Sequence, residues 1–198
     1  MCGRLNIIAD PLAQLVSEAL GIEFWTTTNN DVRPTQPLSV VSASLNHRLE
    51  HTALGWGVQP AWSSKLLINA KSETVASKST FKYGFAHSPV VVPCSGWYEW
   101  STQQGAKQKF LFEGQSPVLY MAAIVVDGNV VTLTRSPTEQ CSHYHHRMPL
   151  ILHQDQISPW VLGTIDERAD LLNVLPDEDF IISNTEAPAN PSAQMSLF

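Results

Sequence analysis

The chain has 198 residues, 43% hydrophobic and only 15% charged, with a formal net charge of −6. A chain of this length buries roughly 70% of its unfolded surface, so it folds without staples, and the composition excludes a disordered chain. No apolar run nears the roughly 18 residues of a membrane span, and MCGRLNIIAD lacks the basic-then-apolar order of a secretory signal; a cytoplasmic protein is expected.

Asp10-Pro11 followed by LAQLVSEALG predicts a helix. Asp10 suits the N-cap, Pro11 the first turn and Gly21 the stop, with Leu12, Leu15, Val16 and Leu20 on the apolar face. The polar TTTNN and Arg33-Pro34-Thr35-Gln36-Pro37 read as loop. Strands are expected at 38–42, 49–56, 90–93, 96–100 and 109–112. The runs 118–126 and 130–134 form a hairpin with its turn signal at Asp127-Gly128-Asn129. A short strand at 149–152 and helices around 158–163 and 166–173 follow, then 22 residues read as a strand and a tail. The fold class is α+β: a single domain over 1–198, mostly antiparallel sheet in a distorted, barrel-like arrangement, with a few peripheral helices.

Charge is unevenly spread. Residues 151–198 hold Arg168 against eight acidic side chains, whereas 61–110 hold six lysines against Glu73 and Glu99. Local sign steers a polyanion more than net charge does, so a mildly basic face beside an acidic segment (153–198) is compatible with nucleic acid. Cys2, Cys94 and Cys141 are odd in number and widely spaced, which favours reduced thiols over a disulfide framework.

Four segments carry candidate chemistry. Removal of Met1 would leave Cys2 with an α-amine and a thiol on neighbouring carbons. An α-amine of pKa about 7.7–8.0 is roughly one quarter unprotonated near pH 7.4. Such an aminothiol attacks an acyl carbon through sulfur, or condenses with an aldehyde to an imine that the sulfur closes to a thiazolidine; the plain alternative is an incidental cysteine. Gly96-Trp97-Tyr98-Glu99-Trp100 sets a carboxylate among aromatics. Strand alternation puts Tyr98 and Trp100 on one face and Trp97 and Glu99 on the other. An apolar surround raises a carboxyl pKa toward acid–base use, against the alternative of a sheet-edge glutamate. Cys141, His143, His145 and His146 invite a zinc reading, but no second ligand pair has recognisable spacing; a proton-transfer histidine beside a phosphate-binding Arg147 is the better reading. In Ile68-Asn69-Ala70-Lys71-Ser72-Glu73-Thr74, an extended backbone would put Asn69, Lys71 and Glu73 on one face; the alternative is a solvated polar face.

Taken in order, these pieces resemble one family. Met-Cys-Gly-Arg at the start, Trp56-Gly57 with Pro60 and Trp62, Asn69-Ala70-Lys71-Ser72-Glu73-Thr74, Gly96-Trp97-Tyr98-Glu99-Trp100 and His145-His146-Arg147-Met148-Pro149 are similar to the motifs of the SOS response-associated peptidases, the abasic-site-processing proteins. The resemblance spans about 1–152. It implies binding of single-stranded DNA, or single-strand/duplex junctions, carrying an abasic site. It also implies a covalent crosslink through the N-terminal cysteine, autoproteolytic removal of Met1 and a minor lyase side reaction. It carries the catalytic roles onto Cys2, Asn69, Glu99 and His145, and DNA contacts onto Arg4, Pro34, Trp62, Lys71, Trp100, Thr134 and Arg147. No metal, cofactor or membrane is implied, and a monomer is expected that joins the nucleoid when bound to DNA. Several positions depart from the family pattern: an arginine usual shortly after the Asn69–Thr74 stretch is missing, with Lys78 or Lys82 as the candidate substitute, and the C-terminal asparagine pattern is only faintly echoed by Asn184 and Asn190. Lys71 stands where arginine is usual, which loses bidentate phosphate geometry. Asp31 replaces an amide in the stretch before Pro34, which repels a nearby phosphate, with Arg33 as an offset. Two other classes stay open: an N-terminal-nucleophile glutamine amidohydrolase, which also begins Met-Cys-Gly, and a non-catalytic DNA-binding module.

Overall fold

The computed structural model describes residues 3–103, 105–177 and 179–185. In chain order the elements are β1 (Leu5–Ile7), α1 (Ala9–Leu20), β2 (Asn29–Val32), β3 (Pro37–Ala43), β4 (Leu49–Gly55), β5 (Asn69–Lys71), α2 (Ser72–Val75), α3 (Lys82–His87), β6 (Pro89–Cys94), β7 (Gly96–Gln103), β8 (Ala106–Glu113), β9 (Leu119–Val126), β10 (Asn129–Arg135), α4 (Glu139–Ser142), β11 (Met148–Pro149), β12 (Ile151–Leu152), α5 (Ile157–Leu162), α6 (Ile165–Asp170) and β13 (Ile181–Asn184). The first helix follows its sequence signals. Asp10 keeps extended angles (φ −108°, ψ 120°), so regular helix begins after it. Gly21 ends the helix in the left-handed region at φ 63°, where a side chain would be strained, and its N–H donates to Ser17 O. The β9–β10 hairpin turns through Asp127 and Gly128, both at positive φ, while Asn129 already pairs with Val126.

The strands form two sheets. One runs β13-β8-β7-β1-β2; the other runs β11-β10-β9-β6-β3-β4, with β12 on β9 and β5 parallel to β10. All other strand pairs are antiparallel. The barrel-like expectation is corrected here: the sheets stay open, with no strand pairing between them among the described residues. Their faces are joined by side chains instead. Leu5, Ile7, Trp97, Phe110 and Phe112 of the five-stranded sheet pack on Leu38, Val90, Val92, Leu119 and Met121 of the larger one. The opposite face of the larger sheet (Val41, Val91, Ala122, Ile124, Leu133) is covered by Leu12, Val16, Phe85 and Trp160 from α1, α3 and α5. The molecule is therefore three-layered. A sheet buried on both faces needs unbroken apolar strands, which explains VVVPC in β6 and LYMAAIVV in β9.

The helical layer is tied by one cation. Arg168 is only 3% exposed, yet its guanidinium donates to the carbonyls of Trp160, Phe85, Ala86 and Gly163 at 2.7–3.3 Å. The one basic residue of the acidic segment is thus a structural tie between α3, α5 and α6. Residues from 186 onward, with Met1 and Cys2, lie outside the described residues. Among the described residues no helix is long and apolar enough to cross a membrane.

Candidate functional site

Glu99 is a carboxylate set against the apolar packing between the sheets. On β7 the alternation holds as the sequence predicts: Trp97 enters the core, stacked on Phe112 at 4.9 Å, and Glu99 follows on the same face, only 3% exposed. Burial penalises the charged carboxylate and pushes Glu99 up to about 7. Its register partner on β8 is Phe110, and the Tyr144 ring packs edge-on against Phe110 at 4.8 Å and Phe112 at 5.3 Å. These contacts dock the 141–147 turn beside Glu99. On the other side of β7 lies β1, with Leu5 opposite Trp97 and the Tyr98 N–H donating to Arg4 O at 3.0 Å. Carried back along the chain, that register sets Gly3 opposite Glu99. Cys2 comes next and is outside the described residues.

Thr138 caps α4, accepting the Cys141 N–H, and the His145 N–H donates to Cys141 O at 3.1 Å. The His145 Nδ1 is turned to the Arg147 backbone, 3.1 Å from its N and 3.0 Å from its O, so Nε2 is directed away from the turn. Burial lowers the His145 pKa below 6.5, which keeps the ring neutral near pH 7. The Arg147 guanidinium donates to both Glu73 oxygens at 2.6 and 2.8 Å and to Thr134 O at 2.6 Å. The hydrogen bond from Arg147 is the main reason the Glu73 carboxyl is lowered to about 2. On β5, Asn69 Oδ1 accepts from the Thr132 hydroxyl at 2.5 Å. Thr132 and Thr134 share one face of β10, so this strand holds Asn69 at one point and Arg147 at the next.

The expectation that Asn69, Lys71 and Glu73 line one extended face is corrected. The strand stops at Lys71 and α2 begins at Ser72, which swings Glu73 onto a helical turn, within reach of Arg147. Of the expected DNA contacts, Trp62 is 70% exposed, Lys71 is exposed, and Pro34 is half-buried in the turn after β2. Arg4 and Trp100 share the outer face of the five-stranded sheet, with the guanidinium 6.0 Å from the indole ring. Thr134, by contrast, is 2% exposed; its hydroxyl donates to Ala70 O and its carbonyl accepts from Arg147. Arg147 itself is mostly covered by its carboxylate pair.

Sequence reasoning missed Thr132, whose only signal is its place on the hairpin strand opposite the asparagine motif. It also missed Lys109, which the β7–β8 register sets opposite Trp100. Cys94 and Cys141 are free thiols, both buried, and burial pushes Cys94 up to about 12. Among the described residues no group of three or more His, Cys, Asp or Glu side chains is arranged to hold a metal ion.

The three-layer α+β fold thus sets a buried carboxylic acid between its sheets, with a histidine turn docked beside it. The model of the SOS response associated peptidase (SRAP) family matches residues 1–186, and the chain belongs to that family. The abasic site processing protein YedK of Escherichia coli strain K12 is 30% identical over 138 residues, spanning 63% of this chain and 62% of that protein. The abasic site processing protein YoqW of Bacillus subtilis strain 168 is 25% identical over 185 residues, 81% of this chain and 80% of its own. A phage-related protein from Bordetella bronchiseptica shares the fold, with a TM-score of 0.80 at 21% identity, covering 94% of this chain and 95% of that one.

Proposed function

We propose that the protein processes abasic sites in DNA as part of a damage response. It binds a single strand or a single-strand/duplex junction and joins the open-chain sugar aldehyde through Cys2, after removal of Met1. The observation that carries this reading is a carboxyl group of pKa about 7 buried where the β1 register sets Gly3, one residue from Cys2. The names of the bacterial relatives support the substrate.

The steps balance as follows. His145, neutral at rest, takes up the C1′ hydroxyl proton and passes it to the sugar-ring oxygen as the C1′–O bond breaks, freeing the aldehyde. The α-amine of Cys2 adds to that carbon. Glu99 takes the proton released from nitrogen and returns it to the departing hydroxyl, which leaves as water. The sulfur then adds to the imine carbon, and its proton moves to nitrogen, closing the thiazolidine. Asn69, fixed by Thr132, orients the amine or the sugar. β-Elimination of the 3′ phosphate from the imine is the minor lyase outcome, which ring closure suppresses. Release of Met1 by attack within this same site is the peptidase reaction. No cofactor enters any step.

The test is incubation of the purified protein with a single-stranded oligonucleotide carrying one abasic site, beside a Cys2→Ala variant, followed by a denaturing gel after heating. A heat-stable adduct is expected for the unaltered protein and none for Cys2→Ala. No adduct from protein shown by mass spectrometry to lack Met1 would overturn the reading.

A further inference from the structure

The outer face of the five-stranded sheet, away from the interlayer core, carries a cluster that the covalent chemistry does not use. Three cations converge on one carboxylate. Arg4 Nη1 lies 3.2 and 3.3 Å from the two Asp31 oxygens, Arg33 donates to Asp31 Oδ2 at 2.6 and 2.9 Å, and Lys109 Nζ stands 3.9 Å from Oδ1. The cluster keeps an excess of two positive charges. It is open to solvent, with the Asp31 side chain 38% and the Arg33 side chain 61% exposed. Burial raises the Asp31 pKa, but the Arg33 hydrogen bond and the charges of Arg4, Arg33 and Lys109 outweigh it, so the group is ionised at neutral pH. Aromatic rings border the cluster: Lys109 Nζ is 3.9 Å from the Tyr98 ring centre and 5.7 Å from that of Trp100.

A carboxylate presents two oxygens sharing one negative charge, and so does a phosphodiester. Guanidinium forks match both groups in the same bidentate way. Three cations around one acid, beside the partly exposed Trp100 ring, make up the elements of a single-strand subsite. We propose that Arg4, Arg33 and Lys109 form a phosphodiester site for the DNA strand, in which Asp31 is an internal stand-in that the backbone phosphate displaces. This deepens the abasic-DNA reading and rests on it. Asp31 and Arg33 then act as a pair: the carboxylate weakens hold on any strand, and the extra guanidinium restores it once a phosphate has entered. A strand must outcompete a tethered anion, which favours DNA held by further contacts over DNA met in passing.

The experiment uses the full chain and a single-stranded oligonucleotide bearing a tetrahydrofuran abasic analogue, which has no aldehyde and binds only reversibly. Affinity is read by fluorescence anisotropy over a range of salt concentrations, with melting temperatures as a folding control. Asp31→Asn should tighten binding about 3- to 10-fold at low salt, and Lys109→Gln, which leaves both arginine pairs to Asp31, should weaken it by a similar factor and lower the salt slope by about 1. An unchanged affinity in Asp31→Asn, or an unchanged slope in Lys109→Gln, overturns the proposal. So does competition by inorganic phosphate with DNA affinity unaltered in both variants, which would mark a site for the free anion. Crosslinking of an aldehyde-bearing oligonucleotide is scored separately. If the unaltered protein forms no crosslink while Asp31→Asn still tightens the analogue complex, the covalent reading fails and the phosphate site stands.

Discussion

Replacing Glu99 by glutamine keeps the side-chain volume between the sheets but removes its titration. The carboxyl moves from an ordinary 4.5 in the unfolded chain to about 7 in the folded one, chiefly through burial. A shift of about 2.5 units at about 1.36 kcal/mol per unit is linked to about 3 kcal/mol of stability. The folded-state pKa is raised, so this contribution is fully present below pH 4.5, where both states hold the proton. It is lost as the pH climbs through 7, because the unfolded chain releases its proton first. Urea unfolding of the unaltered protein and of Glu99→Gln, measured from pH 4 to pH 8, reads the effect of Glu99 and of the groups coupled to it, since all other groups cancel in the difference. The unaltered protein should lose about 3 kcal/mol relative to the variant over that range, mostly between pH 4.5 and 7. A difference that stays flat with pH would refute the argument, for it would mean that Glu99 titrates alike in both states and is no poised acid. The same variant should also form adduct with abasic DNA at least about a hundredfold more slowly, the usual scale for loss of a general acid–base group.

Arg168→Ala should lower stability by about 3 kcal/mol, because four helix-layer carbonyls lose their donor; a thermal melt should fall by roughly 6–12 °C, and a fall under a few degrees would contradict the tie described above. Glu73→Gln should cost about 1 kcal/mol near pH 7 after discounting for solvent screening, since the side chain is 44% exposed. That contribution is present above pH 4.5 and lost as the pH falls toward 2, so acid unfolding of Glu73→Gln should begin at nearly the same pH as without it only if the Arg147 pair is worthless. His145→Gln should slow adduct formation on the cyclic abasic sugar more than on a simple aldehyde that needs no ring opening; equal slowing of both would remove the ring-opening role.

The three-layer packing was partly written in the sequence. Unbroken apolar β6 and β9, the Asp127-Gly128 turn and the Gly21 stop are local signals, and each element lies within a few residues of its expected place. Glu99 was readable too, because period-two alternation put it on the face of Trp97. What stayed hidden depends on distant partners. β1, with three residues, and β2, built from the polar NNDV, have no propensity of their own and exist because β7 and then β1 supply hydrogen-bond edges. Glu73 was misplaced because the chain turns helical at Ser72 and a residue 74 positions away holds its carboxylate. Lys109 could not be assigned from its own neighbourhood, since its meaning comes from Asp31, across two intervening strands.

Strand β1 is among the earliest segments synthesised, yet it lies inside its sheet, between β2 and a strand that starts at Gly96. The histidine turn that docks beside Glu99 is completed only at Arg147. At about 5–20 residues per second, roughly 7–30 s separate the first of these segments from the last. Until then β1 has neither β7 nor a buried acid beside it, so on the proposed mechanism an N-terminal aminothiol would be no more reactive than that of any peptide. On that mechanism, competence for the adduct would therefore arrive with the finished fold: a nascent or half-folded chain on the ribosome would meet cellular aldehydes without the groups that commit it to them.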